Sequence, residues 1–243
     1  MGTSTSYSAP PSWGDLKATV TRVAGEGKPS SAKVGEILST FVSKNGGAAA
    51  MARGGGSGGG GVGTGHAARA VAGRLGGFVA DVGSVGLAEA LQRAGLGELV
   101  GRPVGEVLNG LLDYLGGSSN TLDDVDARAA LSKVRDELLR DAETAEEVEA
   151  ILAAQATDLG SLLQQFCGFY LFELFCRVFF ERLVQRVGET RAYSFLTDIE
   201  AFIRSALANR TFGKDLATLD WSGSAGQSLI TELMETTLQV FGS

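Results

Sequence analysis

Apolar residues along this chain recur at three- and four-residue intervals, and no alternating β-branched run is long enough for a strand. The spacing of Leu16, Val20 and Val23 predicts a short amphipathic helix over 15–24. After the break GEGKPSS, Ser30 or Ser31 is placed to cap a second helix. It presents Val34, Ile37, Leu38, Phe41 and Val42 on one side and stops at Gly46 and Gly47. HAARAVAGRLGGFVADV reads as a third helix, with internal glycines that permit close packing. Ser84 is the expected cap of VGLAEALQRAG, and Pro103 the expected first helical residue of VGEVLNGLLDYLGG, with Leu96, Leu99 and Val100 in the connection. Thr121 and Asp124 make a capping box before a helix through Leu139, and Thr144 with Glu147 repeats the device before VEAILAAQ. Phe195, Ile199, Phe202, Ile203 and Leu207 form a later stripe; Leu229, Leu233, Met234 and Leu238 form the last.

One stretch breaks the one-sided pattern. From Leu159 to Val187 the apolar residues occupy nearly every face of a helix and include six of the twelve phenylalanines. A helix apolar all round lies inside a domain or inside a bilayer. Glu173, Arg177, Glu181 and Arg182 argue against the bilayer, since each unpaired charge costs about 2.5 to 3.5 kcal/mol at mid-membrane. Glu173, Arg177 and Glu181 are spaced i,i+4 and are expected to pair along the helix edge. The predicted fold is all-α, a bundle-like domain of about eight to ten helices around this central apolar helix, with a flexible N-terminal arm. The expected divisions are a mobile arm over 1–13, a short helical segment over 14–45, a glycine-rich linker over 46–65 and a helical core domain over 66–243.

Composition narrows the chemistry. The formal charge is −7. Through Leu75 there are eight Lys/Arg against three Asp/Glu, and thereafter thirteen against twenty-five. Scattered as they are, the early cations form a solvated surface, and direct nucleic-acid binding is not expected. The ten acidic residues against four basic ones between Leu122 and Glu149 read as solvated helix faces rather than a metal or acid/base cluster. Gly58, Gly60 and Gly63 spell G-x-G-x-x-G, but no strand precedes them and no Lys-Ser/Thr follows, so no phosphate cradle is expected. His66 is the single histidine and has no ligand-spaced Cys, Asp or Glu. Cys167 and Cys176 would lie about 13 Å apart along one helix, beyond disulfide reach. They read as buried thiols of a cytoplasmic protein. No nucleophile motif stands out, so no catalytic residue, metal or cofactor is expected.

The N-terminus carries the most specific chemistry. Met1 is followed by a small residue, which favours its removal and would free the α-amine of Gly2. That amine has a pKa near 8, against about 10.4 for lysine, so a useful fraction is neutral and nucleophilic. Met1-Gly2 with Ser6 also satisfies the myristoylation pattern, though no basic cluster supplies the second signal of stable anchoring. Trp13, the first large apolar group, is the expected docking point of the arm on a partner; the other reading is a tryptophan covering the start of the next helix.

MGTSTSYSAPPSW, SSAKVGEILSTFVS, the block from ARAVAGRLGGFVADV to LGELVGRPVGEVLNGLLDYL, NTLDDVDARAAL and LFELFCRVFFERLVQRVG occur here in collinear order. Together they resemble the QatB family of the bacterial Qat anti-phage defence system. The resemblance implies a non-enzymatic component that works beside an ATPase, a QueC-like enzyme and a TatD-like nuclease. It further implies that Gly2 is the acceptor of an amide-linked 7-deazaguanine attached by the QueC-like partner, with Thr3 and Ser4 as the recognition residues behind it. The alternative is a helical adaptor that bridges the ATPase and the nuclease with no N-terminal modification. The chain departs from the family pattern in a shorter proline region before Ser12 and Trp13 and in its glycine-rich insert over 54–65.

Overall fold

The computed structural model describes residues 13–54, 65–118, 120–208, 210, 216, 220–221 and 223–242. Among these it forms eleven α-helices, more than the eight to ten expected, and no strand, as the periodicity predicts. In chain order they are α1 (Gly14–Glu26), α2 (Ser31–Lys44), α3 (Gly47–Arg53), α4 (His66–Val85), α5 (Leu87–Arg93), α6 (Val104–Gly116), α7 (Leu122–Leu138), α8 (Ala145–Ala156), α9 (Leu159–Val187), α10 (Glu189–Leu207) and α11 (Ser224–Gln239). A short 3-10 turn, Gly97–Leu99, joins α5 to α6.

Local side-chain caps set three helix starts. The Ser30 hydroxyl accepts from the Lys33 amide, and both capping boxes, Thr121 with Asp124 and Thr144 with Glu147, are fully formed. Two expected starts move. Helix α4 runs on through Ser84 to Val85, so Gly86 rather than Ser84 stands at the head of α5. The first orphan amide there, Leu87 N–H, donates to the Glu149 carboxylate of α8 at 2.8 Å, a cap supplied from another helix. Pro103 is extended, and α6 begins one residue later at Val104.

Helix α9 is the axis of the molecule, covered by α1, α4, α7, α10 and α11. Phe166, Leu171, Leu174, Phe175, Phe179 and Leu183 are wholly shielded on its different faces. Each such side chain contributes about 2 kcal/mol through burial. Trp13, Phe41, Phe175 and Phe179 form a continuous aromatic cluster, with centroid separations of 5.7, 5.3 and 4.6 Å in turn. Gly168 lets α10 close on α9, since a Cβ there would sit 2.7 Å from Leu207 Cδ1. By length and composition α9 is long and apolar enough to cross a bilayer, but 78% of its most apolar stretch is buried by the other helices, which fits a soluble protein.

The charges on α9 do not simply pair along its edge. Glu173 meets Lys133 at 3.8 Å and Arg177 meets Asp126 at 2.7 Å, so both reach across to α7. Lys133 also bonds Glu200 of α10 at 3.2 Å and lies 4.7 Å from the centre of the Phe172 ring. The stretch expected as a linker over 46–65 contains α3, whose Ala48, Met51 and Ala52 are buried and which packs on α11. Residues of α1, α2 and α3 share one hydrophobic core with the helices after His66. The glycines of the G-x-G-x-x-G pattern lie outside the described residues.

Candidate functional site

A buried polar junction holds the start of α4 against α7 and α9. Helix α4 begins after Gly65, whose φ of +96° is the left-handed region that a side chain rarely adopts. Its first amides have no intrahelical acceptor. The Asp123 carboxylate fills that need from α7, accepting from Gly65 N–H at 3.2 Å and Ala67 N–H at 2.8 Å. Tyr170 of α9 completes the junction: its hydroxyl accepts from Gly65 N–H at 2.8 Å and donates to Asp123 in a short hydrogen bond. Burial and the adjoining Asp123 carboxylate push the phenol well above its usual pKa, so it stays the donor. Two signals for this junction were present in the sequence. Asp124 completes the capping box and leaves Asp123 free to reach elsewhere; Tyr170 is the one hydroxyl-bearing ring in a run of phenylalanines, and a buried phenol needs a partner.

The acidic residues after Leu122 therefore do not all lie on a solvated face. Asp123 and Asp126 are each 6% exposed. Asp126 faces Arg177 and Glu173 of α9 and Asp123 of its own helix. Burial raises its pKa to about 7 despite the Arg177 guanidinium, with Glu173 and Asp123 adding to the rise. In the unfolded chain the same group titrates near 4. Between about pH 4 and about 7 the folded state binds the extra proton, so this group's contribution to stability falls as pH rises through that window. Asp126→Asn should flatten that slope. Urea midpoints at pH 5 and pH 8 check this, and an unchanged pH difference between variant and parent would remove Asp126 as its source.

Of the residues singled out from the sequence, Trp13, His66, Cys167 and Cys176 lie among the described ones. Gly2, Thr3 and Ser4 lie outside the described residues. Trp13 is 1% exposed and stands edge-on to Phe41, so the indole faces the chain's own core. His66 is exposed at the start of α4. Burial pushes the Cys167 thiol up to about 12 and raises that of Cys176 as well, which keeps both thiols protonated. Among the described residues no three His, Cys, Asp or Glu side chains are placed to hold a metal ion.

A cleft of about 770 Å³ runs along α4 and is lined by His66, Arg69, Arg74, Arg93, Tyr114 and Trp221 among others. Arg93 is engaged by Asp81 and Glu89, and Arg74 donates to the Leu115 carbonyl at 2.8 Å. Desolvation lowers the Arg74 pKa, partly offset by Tyr114 and Asp124. These groups can hold an acceptor-rich surface, but they offer no paired nucleophile and base.

Comparison with known proteins places this helical body. A family model described as Qat anti-phage system associated protein QatB matches residues 46–241, from just before α3 to beyond α11. No curated protein and no solved structure matched the chain. The match spans most of the sequence and every helix from α3 onward: the chain belongs to the QatB family, a component of the Qat anti-phage defence system.

Proposed function

We propose that this chain is a non-enzymatic component of the defence system and the protein substrate of a QueC-like partner. That partner attaches a 7-deazaguanine to Gly2 once Met1 is removed. The observation that carries the reading is Met1-Gly2-Thr3-Ser4 at the head of a chain whose body belongs to the QatB family. An enzyme of this type activates a deazaguanine carboxylate with ATP. The neutral Gly2 amine attacks the activated carboxyl carbon, the activating group leaves with the electron pair of its C–O bond, and loss of a proton gives the amide. Glycine adds no side chain at the attacking nitrogen, and Thr3 and Ser4 supply the polar contacts behind it. The burial of Trp13 supports the same division of labour. Trp13 is tied to the core, and Gly2 stands eleven positions before it in the sequence.

Intact-mass and peptide spectrometry of the chain co-expressed with and without its QueC-like partner tests the proposal. A mass gain confined to the N-terminal peptide, abolished by Gly2→Pro with helicity unchanged, is the expected result. An unmodified N-terminal peptide in the co-expressed sample overturns it. A second reading, a helical adaptor between ATPase and nuclease, is favoured by the apolar side chains exposed on the body. Phage protection that survives deletion of residues 2–8 would select it.

A further inference from the structure

Helices α7 and α10 lie side by side on α9 in a fixed register. Lys133 of α7 bonds Glu200 of α10 at 3.2 Å, and one turn on Glu137 meets Arg204 at 2.5 Å. The two helices thus run in the same direction and are fastened at one end by charge. Toward their N-termini the fastening stops. Leu122, Val125 and Ala129 occupy the Lys133 side of α7, while Tyr193 and Thr197 occupy the Glu200 side of α10 at matching levels. Between them α9 presents Cys176 and Phe180, and the Phe180 ring lies 5.4 Å from Tyr193, edge to face. Leu122, Val125 and Tyr193 are 53%, 51% and 54% exposed, and Phe180 is 36% exposed. Four of the five large apolar side chains exposed among the described residues therefore share one end of one three-helix layer.

The charges around this face define what can cover it. Glu181 at its α9 edge and Glu189 at the head of α10 are exposed carboxylates. Arg128 is turned to Asp113 and Arg191 to the Gly25 carbonyl. A nucleic acid or an anionic bilayer would meet these carboxylates and be repelled. A second copy docked face to face would set Glu181 and Glu189 against acidic counterparts. We propose that the N-terminal end of the α7–α9–α10 layer is a protein-docking surface. Its occupant is a segment of another protein component of the defence system, with apolar anchors that seat on Val125, Phe180 and Tyr193 and Lys or Arg residues that meet Glu181 and Glu189. This surface is on the body and does not depend on modification of Gly2.

The test uses the full chain against each of the other purified components of the system by biolayer interferometry. One component should bind, and Tyr193→Arg should weaken that binding about tenfold or more. Glu181→Lys with Glu189→Lys should slow association at low salt, with the difference shrinking at high salt as the charges are screened. Tyr193 is exposed, so circular dichroism should be unchanged; if it is not, Thr197→Arg takes its place. A photo-crosslinker at position 197 should join a peptide of the bound component that contains apolar residues beside Lys or Arg. Absence of binding by every component, equal affinity of parent and variants, or a parent dimer in sedimentation that Tyr193→Arg dissociates would each overturn the proposal.

Discussion

Asp123→Ala should cost about 3 to 5 kcal/mol of folding stability, because three donors lose their buried acceptor at once. The amides of Gly65 and Ala67 and the Tyr170 hydroxyl all point at this carboxylate. An unsatisfied buried polar group costs about 1 to 3 kcal/mol, and Gly65 N–H keeps the Tyr170 oxygen, so the sum falls short of three full penalties. Against a typical total of about 5 to 15 kcal/mol, that loss would leave the domain near its unfolding limit. Asp123→Asn retains an acceptor oxygen and should cost clearly less. Tyr170→Phe removes one bond from the same junction, so its effect and that of Asp123→Ala should not add in the double variant. Urea unfolding followed by circular dichroism measures all four proteins. A loss below about 0.5 kcal/mol for Asp123→Ala, the size of an ordinary surface substitution, would show that water or another group replaces the carboxylate.

Gly65→Ala should be nearly as damaging, for a steric reason. The left-handed φ of +96° alone costs a non-glycine residue about 1 to 2 kcal/mol. Here a Cβ would also lie 1.8 Å from the Met51 carbonyl oxygen, an atom of the α3 backbone that no rotamer change can move. Relief requires α3 and α4 to separate, which pulls Gly65 N–H from Asp123 and Tyr170. A loss of about 3 kcal/mol or more is expected. Gly188→Ala is the control. Its φ of +83° is similar although its ψ of 159° is not, and nothing lies within 4 Å of a Cβ there, so it should show a positive-φ cost with no clash. Thermal unfolding of the two variants separates the effects; equal losses would mean that Met51 yields without cost.

The same locus shows why a glycine-rich stretch misleads when read as composition. A run of glycines over 54–65 suggests a tether between separate units. In the fold its two described ends touch, since a Cβ on Gly65 would also come within 3.4 Å of Gly54 N, and α3 before the run packs into the same core as α4 after it. Composition reports backbone freedom. It does not report whether the chain leaves a place and returns to it. Trp13 makes a related point: its size marked it in the sequence, but burial against Phe41 was decided by the position of α2 on α9.

By itself the sequence determined most of the helices, though not α3, together with the capping boxes and the identity of the central core element. These depend on residues three or four apart and on an apolar content that is the same in any surroundings. The N-terminal tetrad and the collinear motifs were equally legible, being matters of order along the chain. Only the tertiary structure decided which acids are buried and which apolar side chains remain uncovered. Asp123 and Asp124 are neighbours of one chemical type, yet one serves its own helix from three residues away and the other serves amides 56 and 58 residues distant. Val125 and Tyr193 would be ordinary helix-surface residues anywhere else. Their meaning comes from ion pairs that set α7 beside α10 across a separation of 67 residues, and no local pattern encodes that distance.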